Sequence, residues 1–177
     1  MKTMIAVLCS LILMGCSSVL IKEPFPETVL TEKERENLQG AWRVDDSVIH
    51  VAFTHDGIPW YAAVEWKDDD FRLEKERLYF SRHNDTLYVC MPNDPGKTNG
   101  YYFAECKQEG DRAIIWMPDG DVFEKLVEQG ILKGTVEQDT YSSSIKLDTP
   151  AVAILELLAT NPAVFNYKNP VVLEKLK

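Results

Sequence analysis

Apolar and polar residues follow several different rhythms along this chain. Met4 to Met14 is an almost unbroken apolar run behind the positive charge of Lys2. Its length is about half the roughly 20 residues that a membrane-spanning helix needs, so it reads as the core of an export signal over residues 1–15. Ser17 to Leu30 has no sustained period and carries Pro24 and Pro26. That predicts an extended tether over residues 16–30, with the folded domain over 31–177. Thr31 and Glu34 match a capping box, which predicts a short helix over Thr31–Gln39 that Gly40 stops.

From Trp42 the period changes to two. Ile49, Val51 and Phe53 alternate with Val48, His50 and Ala52, and His55-Asp56-Gly57 supplies a turn. Trp60, Ala62, Val64 and Trp66 share one face of the returning strand, read with Ala104 as the inward face. Phe71–Ser81 is rich in charge and reads as one exposed or edge strand. Strands over Leu87–Met91, Tyr101–Lys107 and Ala113–Met117 follow, separated by turn signals at His83-Asn84-Asp85, Asn93–Gly100 and Glu109-Gly110-Asp111. Such regular spacing predicts an antiparallel meander. After it come a short helix at Val122–Gln129 and strands at Leu132–Val136 and Ser142–Leu147. Next is a helix with Asp148 or Thr149 as its cap and Pro150 at its first position, then a closing strand at Val171–Leu176. The expected fold is β-rich α+β, a single antiparallel curved sheet or barrel with one or two helices.

Charge changes the picture in one respect. The chain of 177 residues has a formal charge of −9 and its basic residues are scattered, which argues against nucleic acid and against a polybasic membrane patch.

Leu13-Met14-Gly15-Cys16 ends the first apolar run and resembles the lipobox of bacterial lipoproteins. The resemblance implies cleavage after Gly15, a diacylglyceryl thioether on Cys16 and acylation (commonly palmitate) of the new amino group. Several acyl chains make a durable anchor where one would be marginal. Ser17 is similar to the residue that directs such lipoproteins to the outer membrane, so the expected location is that membrane, facing the periplasm. Leu38-Gln39-Gly40-Ala41-Trp42 contains Gly-x-Trp entering the first strand after a short helix. This is similar to the opening of lipocalins, eight-stranded barrels that hold apolar ligands. The resemblance implies a carrier, with Trp42, Trp60 and Trp66 as ligand contacts. The plainer account of the same residues is a packed core with Trp42 plugging a sheet corner.

Cys9 leaves with the signal and Cys16 takes lipid, so Cys90 and Cys106 remain. An oxidising compartment invites a disulfide between them. If the Asn93–Gly100 loop is symmetric, however, Cys90 faces residue 103 and Cys106 faces residue 87. A bridge then needs a bulge, and two buried free thiols are the alternative.

No catalytic, cofactor or metal constellation emerges. Asp94-Pro95-Gly96-Lys97-Thr98 ends like a phosphate loop, but Met91 stands where that pattern needs glycine. Ser143 and Lys146 fit Ser-x-x-Lys only on paper, because residues three apart on a strand face opposite ways. His50, His55 and His83 have no ligand spacing. Asp68-Asp69-Asp70 with Glu65 lacks the alternation and glycine of a calcium loop. The reading is a non-enzymatic, membrane-anchored domain that binds an envelope protein or other component. The alternative is a lipocalin-like carrier of an apolar ligand. Tyr101, Tyr102 and Phe103 are the first candidates for exposed aromatics at a partner surface.

Overall fold

The computed structural model describes residues 17–67, 70–94, 97–138 and 142–177. The export signal, Cys16, Asp68-Asp69 and Pro95-Gly96 lie outside the described residues, as do the side chains of Glu65, Trp66 and Asp70.

The strands are β1 (Ser17–Ile21), β2 (Gly40–Val44), β3 (Ser47–Phe53), β4 (Pro59–Lys67), β5 (Asp70–Arg77) and β6 (Tyr79–His83), then β7 (Thr86–Asp94), β8 (Lys97–Glu109), β9 (Arg112–Trp116), β10 (Gly134–Gln138), β11 (Ser143–Leu147) and β12 (Val171–Lys175). The helices are α1 (Glu32–Leu38), α2 (Gly120–Glu128) and α3 (Ala151–Thr160), with a single 3-10 turn at Pro162–Val164.

All the strands join one sheet, in the order β10-β11-β1-β8-β9-β12-β2-β3-β4-β5, with β6 and β7 on the other edge of β8. The 13-residue β8 is the hub. One of its edges pairs with β7; the other is shared, β9 lying against Glu105–Glu109 and β1 against Tyr101 and Tyr102. The fold is therefore β-rich α+β as the pattern indicated, but the sheet is mixed, because β1 and β11 run parallel. It curls without closing into a barrel.

The sheet separates two cores. One face packs Tyr88, Cys90 and Phe103 against α2, α3 and the 3-10 turn through Phe123, Ile154, Leu158, Val164 and Phe165. The other is the concave inside of the curl, where Trp42, Val44, Ile49, Val51, Phe80, Met91 and Leu173 meet. Strand alternation sends neighbours to opposite cores: Cys90 to the first, Val89 and Met91 to the second.

The largest correction concerns residues 16–30. The part of that segment within the described residues is no tether. Val19, Leu20 and Ile21 are buried in β1, between β11 and β8. Phe25 is buried with its ring edge-on to Tyr88 and Phe103, and Leu30 is buried in the concave core. Pro24 and Pro26 bracket a fixed crossing over the sheet, held further by Thr28, whose backbone N–H donates to the Phe80 carbonyl. Among the described residues, the sheet includes the chain from Ser17 onward.

Two smaller corrections follow. Phe71–Ser81 is two strands, not one, because the chain breaks at Leu78, whose N–H donates to the Pro59 carbonyl. The third helix starts at Ala151, with Pro150 in the cap position and no side-chain cap. Thr149 instead closes the β10–β11 hairpin: its hydroxyl accepts from Lys133 N–H at 2.7 Å. The capping box on α1 stands as read. Glu34 Oε2 accepts from Thr31 N–H at 2.7 Å, and that bond is the main reason its carboxyl titrates below the ordinary range.

Candidate functional site

The concave face of the sheet leaves an apolar cavity of about 130 Å³. Trp42, Val44, Ile49, Val51, Leu173 and Ala113 form one side. Phe80, Val89, Met91, Tyr102, Ala104 and Cys106 form the other. Register produces this wall. Trp42 pairs with Ile49, and Ile49 with Ala63; Gly40 pairs with Val51, and Val51 with Tyr61. The inward face therefore runs Trp42, Ile49, Ala63 across three strands. Small side chains at Ala104 and Ala113 opposite larger ones leave the space unfilled, and the lining is almost entirely apolar, with one side of the cavity open to solvent.

Trp42 closes one end. The indole is 1% exposed, and its N–H donates to the Leu38 carbonyl at 2.8 Å. That bond satisfies one of the carbonyls left free at the end of α1. Lys175 lies across the ring, Nζ 5.5 Å from the centroid, and donates to the Glu36 and Asn37 carbonyls at 3.0 and 2.8 Å. A cation at a helix C-terminus opposes the negative end of the macrodipole, and its place over an indole adds a cation–π contact. Gly40 makes the approach feasible. Its φ is +131°, and a Cβ there would sit 3.0 Å from Lys175 Cε.

The tryptophans expected together are separated. Trp42 lines the cavity. Trp60 is on the convex face of β4, in a shallow groove with His50, Ala52 and Lys75. The inward positions on β4 are Tyr61 and Ala63, opposite Val51 and Ile49, so the even-numbered residues point outward and Val64 is 61% exposed. The side chain of Trp66 lies outside the described residues. Lys175 is the position that sequence reading missed; a lysine near the chain end carries no periodic signal for capping carbonyls 138 and 139 residues earlier.

Tyr101, Tyr102 and Phe103 alternate across β8, with Tyr101 and Phe103 toward the helices and Tyr102 toward the cavity, so they do not form an exposed aromatic surface. Cys90 pairs with Phe103 and Cys106 with Leu87, as the symmetric register required. The structure holds both as buried free thiols on opposite faces of the sheet, which corrects the disulfide reading. Burial pushes each thiol up to about 12. At pH 8 the thiolate fraction is then about a thousandfold below that of an ordinary cysteine. Iodoacetamide should leave both unlabelled in the native domain and alkylate both in denaturant. A native, unreduced mass about two daltons below the reduced one would contradict this pairing.

Among the described residues no group of three or more His, Cys, Asp or Glu side chains is placed to hold a metal. Lys146 is paired with Glu137 and points away from Ser143, whose hydroxyl donates to Ser17 Oγ at 2.8 Å. Searches against family models, curated proteins and solved structures find no match to the chain.

Proposed function

We propose that this chain is an outer-membrane lipoprotein, anchored through acylated Cys16, whose periplasmic domain binds a compact apolar group and performs no chemistry on it. The observation that carries the binding reading is the almost entirely apolar cavity behind Trp42. An engineered apolar cavity of about 150 Å³ binds benzene, so about 130 Å³ suits a single ring, a short branched chain or the end of a longer chain. Carriers of whole lipids need several hundred Å³. The cargo is therefore smaller than the lipocalin resemblance implies.

Thermal unfolding of residues 17–177 with a panel of single-ring and short-chain apolar compounds tests this. A true ligand at about 100 times its Kd adds about 2.7 kcal/mol, which raises Tm by roughly 5–10 °C for a domain of this size. Ala104→Leu, which fills the space, should abolish the rise. No response to any such compound would overturn the pocket reading.

A second reading, a protein partner on the convex face, is favoured by one observation. Val64 and Leu73 pair across β4 and β5 with 61% and 67% of their surface exposed. Crosslinking in intact cells with a reagent that enters the periplasm, capturing one protein in wild type and losing it in Val64→Lys, would favour that reading.

A further inference from the structure

Cys16 is bonded directly to Ser17, the first residue of β1. β1 pairs with β11 from Ser17 to Ile21 and with β8 at Leu20 and Ile21, and it buries Val19, Leu20 and Ile21, so it cannot be drawn out as a leash without dismantling the sheet. One residue of extended chain gives about 3.3 Å of reach. The headgroup layer on each side of a bilayer is roughly 5–7 Å deep. A Cys16 whose acyl chains lie in the hydrocarbon therefore holds Ser17 at headgroup depth.

We propose that the domain is seated on the bilayer surface itself, by the part of the sheet where β9 ends and β1 begins along β8. The proposal rests on acylation of Cys16. The surroundings of Ser17 fix the orientation. Gly120, at the start of α2, packs so closely that a Cβ there would lie 2.1 Å from Ser17 Cβ. Just before that helix, at the last position of β9, stands Trp116. Its ring meets Tyr167 edge-on at 5.5 Å, and the Tyr167 hydroxyl donates to Glu105 at 2.7 Å. Tyr167 is 43% exposed. An indole and a phenol side by side, each with an apolar body and a polar tip, suit the headgroup region. Asp119 and Asp121 beside them, with Lys168 the one lysine next to Tyr167, leave this end without a basic cluster to favour anionic lipid. The surface this end fits is zwitterionic.

The test uses the full acylated protein extracted from membranes and placed in phosphatidylcholine vesicles with or without bromine on the acyl chains. Bromine quenches indoles that reach the lipid. Trp116 is one of four tryptophans, so emission should fall by up to about one quarter in brominated vesicles. Trp116→Phe should remove most of that fall. A Gly/Ser insertion of about twelve residues between Cys16 and Ser17 should also remove it while leaving the protein vesicle-bound. Equal emission in the two kinds of vesicle, from protein whose intact mass shows acylated Cys16, overturns the docking alone. An intact mass without acyl chains overturns the anchor reading and the docking with it.

Discussion

A chain that starts at Thr31 should not fold, whereas one that starts at Ser17 should unfold cooperatively. Residues 17–30 contribute five buried apolar side chains, Val19, Leu20, Ile21, Phe25 and Leu30. At about 1.5–3 kcal/mol each, their burial amounts to roughly 8–15 kcal/mol. The whole stability of a domain is about 5–15 kcal/mol, so the loss is comparable to everything available. Topology adds to it. β10 and β11 reach the rest of the sheet only through β1, in the order β10-β11-β1-β8. Removing β1 detaches that hairpin and opens the core that Phe103, Phe123 and Phe165 share with it. Near-ultraviolet circular dichroism and urea unfolding check this directly: the shortened chain should show neither a tertiary signal nor a cooperative transition. Ile21→Asp in the longer chain should do nearly the same. A normal midpoint for the chain from Thr31 would restore the tether.

Trp42→Ala should cost about 3–5 kcal/mol, lowering Tm by roughly 6–20 °C. Three losses coincide. The indole leaves a void beside an existing cavity, the Leu38 carbonyl loses its donor, and Lys175 loses the ring beneath it. Trp42→Phe separates them. It keeps most of the packing and removes the N–H, so its cost should be about 1–2 kcal/mol. Thermal unfolding of the two variants beside wild type decides the matter. Equal and small effects would mean that the end of the curl is not held by this residue.

Much of this was legible wherever the determinants were local. The capping box on α1 needed only Thr31 and Glu34, three residues apart. The pairing of Cys90 with Phe103 and Leu87 with Cys106 followed from the symmetry of one loop, and it survives a register shift between Pro92 and Asp94. What could not be read was set across long separations. Ser17–Ile21 is a short apolar run that merges, in sequence, with the longer run of the export signal. Its partner β11 lies 126 residues away and runs parallel, so no turn signal announces it. On β4 both faces are half apolar, Trp60 and Val64 on one side and Tyr61 and Ala63 on the other. Only pairing with Ile49 and Val51 decides which side turns inward. The candidate site suffered most from this, since Trp42 lines the cavity while Trp60 does not. Composition likewise carries no sign of the cavity, which arises where Ala104 and Ala113 meet larger side chains across the curl.

Native mass spectrometry of residues 17–177, purified from the periplasm, tests the binding claim most directly. A mass above that of the denatured chain, from an apolar adduct released on unfolding and missing in Ala104→Leu, is the predicted result. A native mass equal to the denatured mass, in protein taken from cells under gentle conditions, would contradict it.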